Sequence, residues 1–156
     1  KIVEEGPAYS AFIFCVENSA SLLPTVRSRC VELKLQQDAQ TAQPDMALLH
    51  AFAAAKRGAA TEYLAGLESR RITREQLQLL LQTTWRVCAE SLLVQKGKPA
   101  PDGALAEGTA LMSRSLDSIR LLALTELLHR YALECQYNVG PGHVLGALAA
   151  EWENTI

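Results

Sequence analysis

The sequence has no CxxC pair, no apolar run of bilayer length, no excess of basic charge and no phosphate-binding loop. Each absence removes a class of protein. Cys15, Cys30, Cys88 and Cys135 stand tens of residues apart, which argues against a zinc site and against a disulfide framework. They read as reduced cytosolic thiols. No run approaches the roughly 18 to 20 apolar residues that span a bilayer, and the N-terminus lacks a basic, apolar, small-residue leader pattern. A soluble, cytoplasmic protein without a membrane partner is expected. Lys and Arg number 15 against 17 Asp and Glu, a formal charge of −2, so any DNA contact is expected to be local or indirect. A P-loop needs GxxxxGK[ST]; Lys96-Gly97-Lys98-Pro99 is only a loop, and no acidic run follows a buried strand to hold magnesium. No cofactor and no metal are expected on this chain itself.

The 156 residues suit one domain, or one domain with a piece of another, burying roughly two thirds of the unfolded surface. Ala11 to Val16 (AFIFCV) is a continuous apolar run suited to a strand buried on both faces, and Cys30 to Leu35 reads as its partner. Between them Leu22, Leu23 and Val26 take helical spacing, with Pro24 tolerable in a first turn. The expectation is strand, short helix, strand. Lys1 to Glu5 look like the tail of a helix stopped at Gly6-Pro7, so the chain reads as a piece of a longer protein. Two strands cannot close a sheet core, and their open edges would favour a homodimer or strand exchange.

From Gln36 to Pro44 (QQDAQTAQP) the composition turns polar, as in a linker, and the pattern beyond is helical. Met46 to Lys56 and Ala59 to Leu67 form a predicted helical hairpin. Thr73 with Gln76 resembles a capping box, followed by Leu77, Leu80, Leu81, Thr84, Trp85, Cys88 and Leu92 at spacings of three and four through Gln95. Lys96 to Gly103 is a loop; Ala104 to Arg114 and Leu116 to Tyr137 are two further helices, the second with its stripe through Ile119, Leu122, Ala123, Leu127, Tyr131, Leu133 and Cys135. Gly140-Pro141 opens the last helix, His143 to Glu153. The fold class is therefore mainly α, an antiparallel bundle of about six helices behind a short β-α-β segment. Its Leu stripes are core, and any leftover apolar face is a surface for partners.

The segment Phe12 to Cys30, FIFCVENSASLLPTVRSRC, resembles bacterial clamp-loader ATPases of the AAA+ class, in which a strand leads to a short helix carrying Ser-Arg-Cys. Here that motif is Ser28-Arg29-Cys30. Glu4-Glu5-Gly6-Pro7 looks like the family's Leu-Glu-Glu-Pro-Pro helix end, and Leu22-Leu23-Pro24-Thr25-Val26-Arg27 is most similar to the delta-prime type of DNA polymerase III. Asn138-Val139-Gly140-Pro141 is similar to the Asn-Val-Asn-Pro before the final collar helix, with Gly140 and His143 departing from the pattern.

The resemblance implies a core remnant over 1–36, a linker over 37–44 and a collar-type helical domain over 45–156. It implies gamma/tau-type and delta-type loader subunits as partners, with the sliding clamp and primed DNA reached through the complex. The family's three-helix lid has no room after Leu35; absence is the favoured reading over replacement by residues 45–67, which carry no Gly-Ser-rich sensor motif.

In that family the arginine of Ser-Arg-Cys enters a neighbouring subunit's ATP site as a finger, which implies this role for Arg29. The plainer alternative is that Arg27 and Arg29 are solvated arginines at a helix end, where they suit the dipole. Cys30 reads as a small buried residue rather than a nucleophile, with no His near it in sequence. His50, His129 and His143 lie on three predicted helices without an i+4 partner, against a metal site. Arg70, Arg71 and Arg74 form the densest basic cluster; Glu68 and Glu75 dilute it and no aromatics interleave, so a solvated helix start is favoured over phosphate binding. Two alternatives to the clamp-loader reading are an interaction bundle of another AAA+ protein and a stand-alone helical enzyme. The latter fits worst, because no acid, base and nucleophile cluster assembles from the sequence.

Overall fold

The computed structural model describes residues 13–16, 22–28, 30–31, 42–137 and 139–156. The chain divides into two compact units, Lys1–Asp38 and Ala39–Ile156.

In the first unit the described helix is α1 (Pro24–Arg27). Pro24 takes its first position, where a fixed φ and a missing N–H cost nothing. Ser28 closes it, donating its backbone N–H to the Pro24 carbonyl (3.0 Å) and its Oγ–H to that of Thr25 (3.1 Å). The expected flanking strands are not seen: no strand occurs among the described residues, and Ile13 to Val16 belong to no regular element. A parallel-sheet strand is covered on both faces, whereas Ile13 and Val31 are 89% and 88% exposed. Residues 11–12 and 32–35 of those strands, and the expected helix tail at 1–5, lie outside the described residues.

The second unit holds α2 (Met46–Ala53), α3 (Ala59–Ser69), α4 (Arg74–Gln95), a 3-10 turn at Gly103–Leu105, α5 (Ala106–Ser115), α6 (Ser118–Glu134) and α7 (Pro141–Glu153). Local chemistry sets most of the starts. Asp45 Oδ1 accepts from the Leu48 N–H (3.0 Å), and Asp117 Oδ1 from that of Arg120 (2.8 Å). Thr73 and Gln76 form the capping box, Gln76 N–H donating to Thr73 Oγ1 (3.3 Å) and Thr73 N–H to Gln76 Oε1 (3.0 Å). Pro141 sits in the first turn of α7.

Two helices end at left-handed residues that are not glycine. Ala55 (φ 45°) follows α2, which stops short of Lys56, and Arg71 (φ 53°) follows α3. Each costs about 1 to 2 kcal/mol relative to a right-handed backbone.

α4 packs against α6 on one side and α5 on another; α3 packs on α7 and α2, and α2 also meets α5. The pairs do not all run antiparallel. Gln95 meets Ser118 while Trp85 stacks on His129 (ring centroids 5.5 Å apart), so α4 and α6 run in opposite directions. Ser91 Oγ donates to the Thr109 carbonyl (3.2 Å) and Gln95 Nε2 to that of Ser113 (2.9 Å); both contacts advance together, so α4 and α5 run the same way. The connection from Lys96 to the 3-10 turn returns the chain and makes this possible. α3 and α7 are antiparallel, with Gly58 at Glu153 and Gly142 beside Glu68.

The core runs through Leu48, Leu49 and Phe52 of α2 to Leu121, Leu124 and Leu128 of α6 and to Trp152, all fully buried. Phe52 and Trp152 meet edge to face, with centroids 5.5 Å apart at 89°. The expected stripe of α6 is only partly the core side. Leu127, Tyr131 and Cys135 are buried, but Ile119, Leu122 and Leu133 are exposed, and Leu121, Leu124, Leu128 and Ala132 take the inner positions. α6 carries apolar residues on two faces, and periodicity alone does not say which one α4 covers. No described helix is long and apolar enough to cross a membrane.

Close approach at α5 needs Gly108: a Cβ there would stand 2.7 Å from Leu49 Cδ1 and 3.2 Å from Val87 Cγ1, both in fully buried residues. Gly146 in α7 has nothing within 4 Å of the same position. Replacing Gly146 by Ala is expected to stabilise the fold by about 0.5 to 1 kcal/mol through lost unfolded-chain freedom. Gly108→Ala is expected to destabilise it by about 1 to 2 kcal/mol, because overpacking outweighs the helix-propensity gain. Denaturant unfolding of the two variants beside the parent chain checks the opposite signs.

Candidate functional site

The motif residues fall at the end of α1. Ser28 is its C-cap and exposed, Arg27 is exposed in the last turn, and Cys30 donates its N–H to the Arg27 carbonyl (3.2 Å). Cys30 is half-buried rather than buried, because a four-residue helix offers little to pack against it. Arg29, the candidate finger, lies outside the described residues.

The basic cluster at the α3–α4 corner is divided by the turn between the helices. Arg70 caps the C-terminus of α3 and its charge acts on Tyr63; Arg71 occupies the left-handed exit; Arg74 opens α4 and its charge acts on Cys135. Arg70 and Arg71 suit the negative end of the α3 dipole. The three histidines sit on α2, α6 and α7, and among the described residues no group of three or more His, Cys, Asp or Glu could hold a metal ion.

Several titratable side chains of the bundle link one helix to another. Tyr63 Oη donates to Asp45 Oδ2 (2.5 Å), so the residue that caps α2 also anchors α3; burial and that hydrogen bond push the phenol up to about 12. Tyr131 Oη donates to Glu151 Oε1 (2.5 Å), and Arg130 pairs with the other oxygen of Glu151. Those two bonds hold the Glu151 carboxyl below the usual carboxylate range, Tyr131 first and Arg130 second. Glu153 Oε1 accepts from the Gly58 N–H (2.7 Å) and from Thr61 Oγ1 (2.9 Å), capping α3 from the far end of α7. Gln95 donates to the Ser113 and Leu116 carbonyls and accepts from Ser118 Oγ, joining α4, α5 and α6. None of these pairings is signalled locally in the sequence, because each links residues 18 to 95 positions apart.

Cys88 is fully buried and its thiol is pushed up to about 12 by desolvation alone; burial also raises Cys135. Neither is disposed as a nucleophile, which requires a thiolate.

The class defined here is a helical packing module with a short motif-bearing segment before it. Residues 1–39 match a family model described as DNA polymerase III, delta subunit. That match points to a DNA polymerase III clamp-loader-related family and stops before the helical bundle. No curated protein and no solved structure matches the chain.

Two consequences can be measured. A thiol-selective reagent should modify Cys15 and Cys30 in the native chain and reach Cys88 and Cys135 only on unfolding, so two slow thiols should report global opening. The stability held by the neutral Cys88 thiol is complete below pH 9, its ordinary ionisation, and is lost as pH rises toward 12. Denaturation midpoints should therefore fall across that window, and Cys88→Ala should flatten the fall.

Proposed function

We propose that this chain is part of a clamp-loader subunit of the bacterial replicative DNA polymerase III, of the delta-prime type. In this reading the helical unit is a collar-like assembly scaffold, and Arg29 is donated in trans to ATP bound by a neighbouring gamma/tau-type subunit. The observation that carries the reading is that the family match over residues 1–39 contains Ser28-Arg29-Cys30. The chemistry is electrostatic: a guanidinium fork stabilises charge developing on the transferred phosphoryl oxygens, and it does so only when the neighbour is docked. Delta-type subunits, the sliding clamp and primed DNA are the further partners, DNA being reached through the complex in a cytoplasmic setting.

A second reading is favoured by one fact, that the family match ends at residue 39. The bundle would then serve as an interaction module of another AAA+ protein with no tie to the polymerase. Purification with the other loader subunits separates the two: a stoichiometric complex supports the first reading, and a chain that binds none of them supports the second.

Within the complex, Arg29→Ala is expected to lower ATP turnover at the neighbouring site by roughly 10³-fold while leaving assembly intact. Arg29→Lys should not rescue it, since an ammonium lacks the planar fork. Unchanged clamp-dependent ATP hydrolysis in Arg29→Ala would remove the finger role.

A further inference from the structure

α1 is a helix of four residues with no buried side chain; Leu23 before it is 70% exposed, and Thr25, Arg27 and Ser28 are exposed as well. Packing among the described residues therefore does little to fix its shape, and a helix of this length does not persist through propensity alone. Its form rests on the hydrogen bonds at its two ends. At the start the ring of Pro24 sets φ, and the Leu23 carbonyl accepts from the N–H groups of Val26 (2.9 Å) and Arg27 (3.1 Å). At the end Ser28 is held twice, by its N–H on the Pro24 carbonyl (3.0 Å) and by its hydroxyl on the Thr25 carbonyl (3.1 Å).

The next closure is the Cys30 N–H on the Arg27 carbonyl (3.2 Å). The chain is thus tied on both sides of Arg29, at Ser28 before it and at Cys30 after it. Of these bonds only the one from the Ser28 hydroxyl uses a side chain, so it is the one that residue type decides. Any residue but proline can donate an N–H at position 30, whereas the second bond at position 28 needs a hydroxyl on a short side chain.

We propose that Ser28 is a positioning residue for Arg29: the bond from its hydroxyl to the Thr25 carbonyl fixes the last turn of α1, and with it the backbone that carries the arginine. This deepens the clamp-loader reading and rests on it. A guanidinium acts on a transferred phosphoryl group only when it is closely placed, and misplacement by about 1 Å can cost on the order of 10²-fold in rate. An exposed hydrogen bond between neutral groups holds its geometry weakly, so its loss shifts the balance of backbone states without abolishing the productive one. The effect on rate is about two- to tenfold.

ATP turnover of the reconstituted loader complex, with sliding clamp and primed DNA, tests this in a double-mutant cycle. Expected is a fall of about two- to tenfold in Ser28→Ala, with assembly unchanged by co-purification. Ser28→Thr, whose hydroxyl can reach the same carbonyl, keeps most of the turnover. On an Arg29→Ala background Ser28→Ala lowers it no further, because a residue that acts through the arginine has no effect once the arginine is gone. Full turnover in Ser28→Ala beside a slowed Arg29→Ala overturns the positioning role and leaves the finger reading standing. A loss that adds in full to that of Arg29→Ala, that threonine does not restore, or that comes with failed assembly also overturns it, since each gives Ser28 a different task. Parental turnover in Arg29→Ala removes the finger reading itself, and the positioning role with it.

Discussion

Hydroxyl groups on the buried side of α4 set the terms for the rest of the bundle. Thr83, Thr84 and Ser91 are buried between α4 and its neighbours, where an unpaired hydroxyl costs about 1 to 3 kcal/mol. Each donates instead to a carbonyl four residues back in α4, at 2.7 to 2.8 Å, Ser91 sharing its proton with the Thr109 carbonyl of α5 (3.2 Å). With the Thr83 and Thr84 hydroxyls turned inward on its own backbone, the buried side of α4 is largely apolar, and both α5 and α6 pack on the helix. At its end Gln95 takes the opposite part: its amide accepts and donates across to the Ser113, Leu116 and Ser118 groups where α5 stops and α6 begins. The helix that organises the core thus also closes the tightest corner of the chain.

Around this axis, carboxylates act as fasteners between elements distant in sequence. Asp45 holds α2 and α3, Glu151 holds α6 and α7, and Glu153 holds α7 and α3. Each places a negative charge near a phenol, a guanidinium or a helix N-terminus, where it is stabilised. The acidic residues of the bundle are therefore spread over joints rather than gathered at one place. Cys88, desolvated in the core, serves packing in the same way, while Ile119, Leu122 and Leu133 of α6 stay exposed.

Elements governed by local rules were legible in the sequence. The capping box at Thr73 and Gln76, the Asp45 start, the Pro24 and Pro141 first turns and the length of α4 all follow from groups within four residues of one another. Less legible were the ends of α2 and α3, where Ala55 and Arg71 adopt a backbone that glycine normally supplies. α6 was legible as a helix but not in its orientation. Its residues from Ile119 to Leu133 are apolar on more than one side, so the stripe chosen from spacing included Ile119, Leu122 and Leu133, which face outward. The Ser28-Arg29-Cys30 motif was legible only through resemblance, since nothing in its spacing distinguishes a finger from a solvated arginine.

What the sequence determined by itself was therefore the succession of helices, because caps, prolines and periodicity act through backbone groups one turn apart. The tertiary structure alone decided that α5 runs alongside α4 in the same direction, that Gly108 lets α5 close on Leu49 and Val87, and that Ile119, Leu122 and Leu133 of α6 stay exposed. The physical reason is that burial is a competition: α6 carries apolar residues on two sides, and α4 and α7 cover the side that holds no charge.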